Sequence, residues 1–202
     1  MVKDISDEVL ANRIQKGDEK AFEEIVKRYE GKVYNLAYRI NQNREDASDI
    51  LQDTFIQVYK KISTFRGDSK LSTWIYRIAT NAALMKKRKD SKNQSYSIET
   101  PILTGSGDEL KRQLKADWSV NLLDELENRE LHDRLDIAIE QLHIDYRIPL
   151  ILRDINGLSN EEVSQILDIS ITAVKSRVHR ARLFLRESLG EYFQSEGMQD
   201  GF

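Results

Sequence analysis

From Phe22 to Ile40 the apolar residues Phe22, Ile25, Val26, Tyr29, Val33, Leu36, Ala37 and Ile40 return at every third or fourth position. A strand needs alternation by two, so this spacing predicts one long helix, ending near residue 41, with a single apolar face. Gly31 lies within it at some cost in helix stability. The same period predicts a third helix over about 45–62, with Ala47, Ile50, Leu51, Phe55, Val58 and Ile62 inward. It predicts a fourth from about Leu71 to Lys89, burying Leu71, Trp74, Ile75, Ile78, Ala82 and Met85. A short helix near residues 7–16, with Val9, Leu10 and Ile14 on one side, comes first, and Gly17-Asp18 separates it from the long one. Only two prolines and nine glycines interrupt 202 residues, 40% of which are hydrophobic, and no strand-like alternation stands out. The expected fold is all-α, and four helices joined by short connections make a first domain over residues 7–90.

Between residues 91 and 129 the character changes. Ser, Asn, Gln and Gly collect, Pro101 interrupts, and Thr104-Gly105-Ser106-Gly107 is a flexible signal. A connection of that length is unusual inside a compact domain, so it is read as a flexible linker between two domains, with a weak helix around Leu110–Leu114. A second domain spans residues 130–190. Leu131, Leu135, Ile139 and Leu142 form one amphipathic helix, and Ile148, Leu150, Ile151, Leu152 and Ile155 belong to the next. Residues 191–202 are a polar tail expected to fray.

Residues 157–187, GLSNEEVSQILDISITAVKSRVHRARLFLRE, complete that second domain. Ser159 and Glu162 form an S-x-x-E capping box at the start of a short helix carrying Val163, Ile166 and Leu167. Asp168-Ile169-Ser170 reads as a turn, with Ser170 capping the helix that follows. On that helix Ile171, Val174, Val178, Ala181 and Leu185 share one face, while Thr172, Lys175, Ser176, His179 and Arg180 point the opposite way. One side fits a small core and the other fits a major groove, where side chains reach base edges and cations reach phosphates. Lys175, Arg177, Arg180, Arg182 and Arg186 meet no acidic residue until Glu187, whereas a merely solvated helix intersperses signs to gain i,i+4 pairs. The segment therefore reads as a DNA-binding helix-turn-helix.

Net charge is only −3, but positive charge is concentrated in two short stretches and acidic residues fill the segments between. Local patches govern contact with DNA. The absence of cysteine excludes disulfides and thiolate metal sites. No apolar run is long enough to span a bilayer and the N-terminus has no signal-peptide core, so no direct membrane insertion and a cytoplasmic location are expected. His132, His143 and His179 have no partners at ligand spacing, so no metal is expected. No Gly-rich phosphate loop, H-E-x-x-H or paired carboxylate in a cleft is present. The chain is expected to be no enzyme, with no cofactor and no small-molecule substrate.

Four segments in this order resemble the small extracytoplasmic-function (ECF) group of bacterial sigma factors: QKGDEKAFEEIVKRY, EDASDILQDTF, FRGDSKLSTWIYRIATNAA and GLSNEEVSQILDISITAVKSRVHRAR. Each is weak alone; together, at these separations, they are specific. The resemblance covers about Asp7 to Leu189. It implies a two-domain protein that binds core RNA polymerase and directs initiation at promoters. The 7–90 domain would be sigma region 2 and the 130–190 domain sigma region 4. EDASDILQDTF is similar to the helix that docks on the clamp helices of the largest catalytic subunit, with Asp46, Asp49, Gln52 and Asp53 offered to arginines. The family often carries Glu where this chain has Ser48 and Asp53, so one charge is missing and one stands on a shorter arm. FRGDSKLSTWIYRIATNAA is similar to the segment that recognises and melts the −10 element. Phe65, Arg66, Asp68, Ser69 and Lys70 would form a loop pocket for a flipped base. Arg77, Thr80, Asn81, Lys86, Lys87 and Arg88 would flank the strand along the helix. Trp74 is expected in the core and Tyr76 as the more exposed aromatic. The last segment resembles the module that reads the −35 element, with Lys175, Ser176, His179 and Arg180 on or near bases and Thr172, Arg177 and Arg182 on phosphates.

The resemblance also implies an anti-sigma partner, and a linker that threads towards the RNA exit path with Asp117, Asp124, Glu125 and Glu127 in space later claimed by RNA. A dimeric regulator with a response-regulator type of helix-turn-helix would share the last segment. A receiver domain, however, alternates strands and helices, and the first ninety residues do not. An adaptor binding only proteins would have no use for the basic stretches at 86–89 and 175–186.

Overall fold

Each of the first three helices opens on a side chain that accepts from its own first turn. The computed structural model describes residues 5–93 and 129–196. Ser6 accepts from the Val9 amide at the start of α1 (Asp7–Gln15), and Asp18 from Ala21 at the start of α2 (Glu19–Asn41). Asn43 accepts from Glu45 and Asp46 at the start of α3 (Arg44–Lys61). Caps of this kind satisfy amides that lack an intrahelical partner and stabilise a helix by about 1 kcal/mol. α2 ends where Gln42 enters the left-handed region at φ 62°. A single 3-10 turn, Ile62–Thr64, leads from α3 towards α4 (Leu71–Asn93).

α2, α3 and α4 pack against one another, and α1 lies across α2. Their shared core holds Ile25, Val33, Leu36, Ile40, Val58, Leu71 and Ile75, as the three–four spacing required. The start of α1 is fixed on α2, because Asp7 takes an ion pair from Arg28 at 2.7 Å and a hydrogen bond from the Tyr29 hydroxyl. Burial, then Asp7, push the Tyr29 phenol well above the usual tyrosine range. Three expectations fail here. Val9 and Met85 are exposed, and Tyr76 is only 2% exposed while Trp74 is the half-buried aromatic. Met85 lies past the point where α4 is covered on that side. Tyr76 belongs to a second buried stripe of α4 that local periodicity did not announce.

The C-terminal helices are α5 (Arg129–Gln141), α6 (Ile144–Leu150), α7 (Asn160–Leu167) and α8 (Ile171–Glu196). Pro149 sits inside α6. It has no N–H to give the carbonyl four residues back, and the helix widens directly afterwards into a π turn at Ile151–Ile155. Arg147, 7% exposed, turns its guanidinium onto the end of α5 and donates to the carbonyls of Leu142 and Glu140. Ile139, Leu142, Ile151, Leu152, Val163 and Val174 form the apolar interior. Ile171, expected on the core face, is 38% exposed at the first position of α8. That helix continues to Glu196, past the expected start of the polar tail at residue 191. Among the described residues there is no strand. The two sets of helices touch: α4 lies against α7, and α2 meets α6 and the π turn. The expected helix at Leu110–Leu114 and the carboxylates Asp117, Asp124, Glu125 and Glu127 lie outside the described residues.

Candidate nucleic-acid interface

The capping box at Ser159 forms as its spacing required. Ser159 Oγ accepts from the Glu162 amide at 3.2 Å, and the Ser159 amide donates to Glu162 Oε2 at 2.7 Å. Asp168 ends α7 in the left-handed region at φ 54°, and its N–H donates to the Ser164 carbonyl. Ser170 then caps α8 by accepting from the Ala173 amide at 3.1 Å. The two helices are thus closed by the side chains of Ser159 and Ser170 at their starts and by the left-handed backbone of Asp168 at the end of α7, which satisfy groups that helix ends leave open.

On α8, Val174, Val178, Ala181 and Leu185 are buried against the neighbouring helices. On the other side Thr172 and Lys175 are exposed, while Ser176, Arg177, His179 and Arg180 are half-buried. Ser176, Arg177 and Arg180 border a shallow depression whose other wall is Asp145, Tyr146 and Ala173. The Arg180 guanidinium reaches the Tyr146 hydroxyl at 3.5 Å, an approach from α6 that the sequence reading did not anticipate. His179 turns its Nε2 inward, where it is enclosed without a hydrogen-bond partner. Arg182, expected on phosphates, is held in a bidentate pair by Asp154, at 2.8 and 2.6 Å, and ties α8 to the π turn.

The N-terminal helices bring together the residues expected around single-stranded DNA less evenly. The Gln15 amide donates to the carbonyls of Ile62 and Phe65, both at 2.9 Å, and holds the loop entrance. The Phe65 ring rests on Trp74, centroids 5.4 Å apart and tilted by 47°. Beyond it Arg66, Asp68 and Lys70 are exposed, Ser69 is half-buried, and Gly67 takes φ +80°, a conformation that side-chain-bearing residues rarely adopt. Arg77, Asn81 and Arg88 are exposed along one side of α4. Lys86 and Lys87 turn into the fold instead. Lys87 donates to the Ile40 carbonyl at 3.4 Å, and Lys86 pairs with Asp46 at 2.9 Å and Asp49 at 3.3 Å. The hydrogen bonds that the Lys86 ammonium donates to Asp46, then to Asp49, hold it above its ordinary range. Thr80 is fully buried and its hydroxyl has no partner.

On α3, Asp49, Gln52 and Asp53 are exposed on one side and Asp46 is half-buried. Among the described residues Asp53 makes no ion pair, whereas Asp46 and Asp49 share Lys86. This leaves an acidic, hydrogen-bonding strip suited to a partner helix bearing arginines. Among the described residues no group of His, Asp and Glu could hold a metal ion, and no helix is long and apolar enough to cross a membrane.

Residues 25–93 match the family described as Sigma-70 region 2, and residues 132–185 the family described as Sigma-70, region 4. The chain is 37% identical over 177 residues to the ECF RNA polymerase sigma factor SigW of Bacillus subtilis (strain 168), covering 88% of this chain and 93% of that protein. It is 38% identical over 186 residues to the ECF RNA polymerase sigma-E factor of Escherichia coli (strain K12), covering 90% of this chain and 93% of that one. Among solved structures, RpoE of Bartonella quintana in complex with the anti-sigma factor NepR is similar at a TM-score of 0.60 and 26% identity, over 85% of this chain and 98% of that one. CnrH in complex with the cytosolic domain of CnrY shares the fold, with a TM-score of 0.64 at 22% identity over 92% of this chain and 97% of that one.

Proposed function

The chain belongs to the ECF group of RNA polymerase sigma factors, and from that premise we propose how its helices divide the work of the class. It binds core RNA polymerase and directs it to promoters. The C-terminal unit, residues 130–190, reads the −35 element as duplex. Lys175, Ser176 and Arg180 meet base edges, Thr172 and Arg177 meet phosphates, and the Tyr146 hydroxyl steadies the Arg180 guanidinium. The N-terminal unit, residues 7–90, captures the −10 strand. The Phe65–Trp74 pair offers an aromatic surface for an unstacked base, and Arg66, Lys70, Arg77, Asn81 and Arg88 flank the strand. Gln52 and Asp53, with Asp49 and Asp46, dock on the polymerase.

The observation that carries this reading is the α7–α8 turn. It stands on a capping box, and it presents Lys175, Ser176, Arg177 and Arg180 together opposite a buried apolar face. The chain makes and breaks no covalent bond in this reading. It holds polymerase on DNA and lowers the cost of opening the duplex, in the cytoplasm. An anti-sigma factor is its partner in the inactive state, in line with the RpoE–NepR complex. Run-off transcription with purified core polymerase on a promoter library tests the reading. Defined start sites that depend on the added chain support it, and their absence refutes it.

A further inference from the structure

Lys86 lies on the side of α4 that the bundle covers. It follows Ala79 and Ala83, which are 1% and 0% exposed, at the spacing that puts all three on one helix face. Arg77, Asn81 and Arg88, assigned above to the −10 strand, stand exposed about 140–180° away around the axis, at ~100° per residue. A lysine so placed is turned away from that strand and towards α3.

Its ammonium stands between two carboxylates of α3, 2.9 Å from Asp46 and 3.3 Å from Asp49. The two are unequal. The Asp46 side chain is 19% exposed and takes the shorter contact, whereas that of Asp49 is 64% exposed and belongs to the outward side of α3 with Gln52 and Asp53. One positive charge is therefore held within a strip of three carboxylates. A partner's cation reaches Asp49 only by displacing Lys86 or by standing beside a like charge, and either reduces the attraction that an unshared carboxylate offers. Asp53 has no such competitor, since among the described residues it makes no ion pair. Lys86 can give up the longer contact and remain paired, because the half-buried Asp46 still holds it.

On the assignment of the α3 strip to polymerase, we propose that Lys86 sets how strongly that strip binds: it competes with the polymerase's cations for Asp49 and withdraws to Asp46 when the strip docks. Lys86 then has no part in holding DNA, and the strip binds more weakly than its carboxylates alone would.

Full-length variants competing with the labelled, unaltered chain for core polymerase test this. Lys86→Met is expected to bind core polymerase roughly threefold tighter. Lys86→Gln should move in the same direction, and Lys86→Arg, which keeps the charge, should gain nothing. Asp49→Asn should weaken binding by roughly twofold or less in the unaltered chain but by roughly tenfold in the Lys86→Met background, where the carboxylate is unshared. Selection at the −10 element should be the same in Lys86→Met as in the unaltered chain. Affinity that falls or stays level in both Lys86→Met and Lys86→Gln overturns the proposal. So does an equal cost of Asp49→Asn in the two backgrounds, which would make Lys86 a distant charge only, and so does weaker −10 selection in Lys86→Met. Asp53→Ala separates this from the docking assignment. If Asp53→Ala weakens binding while Lys86→Met gains nothing, only the competition fails. If Asp53→Ala binds as tightly as the unaltered chain, the assignment fails at that residue, and the coupling of Lys86 with Asp49 still decides the competition.

Discussion

Arg182 and Asp154 form a bidentate pair across the C-terminal unit, with guanidinium nitrogens 2.8 and 2.6 Å from the two carboxylate oxygens. Arg182 is half-buried, and the pair joins α8 to the π turn that Pro149 precedes. Arg182→Ala and Asp154→Ala are each expected to destabilise the unit by about 1–2 kcal/mol. The double variant should lose little more than either single one, as a double-mutant cycle by urea unfolding would show. Additive losses would mean that the two groups act separately.

Arg147 is the other cation that the C-terminal unit spends on its own architecture. Burial pulls its guanidinium below the usual arginine range, and it satisfies the carbonyls that end α5. Arg147→Met keeps the volume but leaves those carbonyls unpaired, at about 1–3 kcal/mol each. The expected loss is about 3 kcal/mol in denaturant unfolding, with no change in which −35 sequences are preferred by the protein that remains folded.

These two arginines mark where sequence reasoning stopped. The α2 stripe was legible because one helix face was buried from end to end, and period alone finds such a face. The Ser159–Glu162 box was legible because both partners lie within one turn. Arg147, Arg182 and the Tyr146–Arg180 approach depend on chain separations of 5 to 34 residues, which no local pattern encodes. α4 misled for a related reason. Its first stripe, Leu71, Ile75 and Ile78, packs on its own bundle, but Thr73 and Tyr76 are enclosed where they bond Glu162 and Asn156, 80 to 89 residues away, and Thr80 is enclosed beside them with no partner for its hydroxyl. Tyr76 was therefore expected outside, and the burial of Thr80 was not foreseen. Arg77 and Asn81, outside both stripes, stand exposed.

Asp53 is the sharpest test of the strip proposed to face polymerase. It is exposed and, among the described residues, makes no ion pair, so Asp53→Ala removes a partner contact without disturbing the fold. Affinity for core polymerase is expected to fall about tenfold, equivalent to ~1.4 kcal/mol, in a competition assay. Unchanged affinity would move the docking surface away from this side of α3.

Glu162 gives the acid dependence a direction. Burial works to raise its carboxyl, but the Ser159 amide and Lys70 outweigh it and hold the group below the ordinary glutamate range. A depressed folded value means that the stability it contributes is present above the unfolded value, about 4.3. That stability is lost as pH falls through the lower, folded one. The start of α7 should therefore weaken on acidification in that window, followed by the fall in unfolding free energy measured in urea as pH is lowered. Glu162→Gln should flatten the response; an identical acid limb in that variant would assign it to other carboxylates.

The division of labour between the two units is tested most directly by transcription from a library randomised at both the −10 and −35 elements. Core polymerase would be supplied with the unaltered chain, with Arg180→Ala or with Asn81→Ala. Arg180→Ala is expected to relax selection at −35 by about 1–3 kcal/mol per lost base contact and to leave −10 selection intact, with Asn81→Ala doing the reverse. Equal loss at both elements in either variant, or no loss in both, would contradict the account.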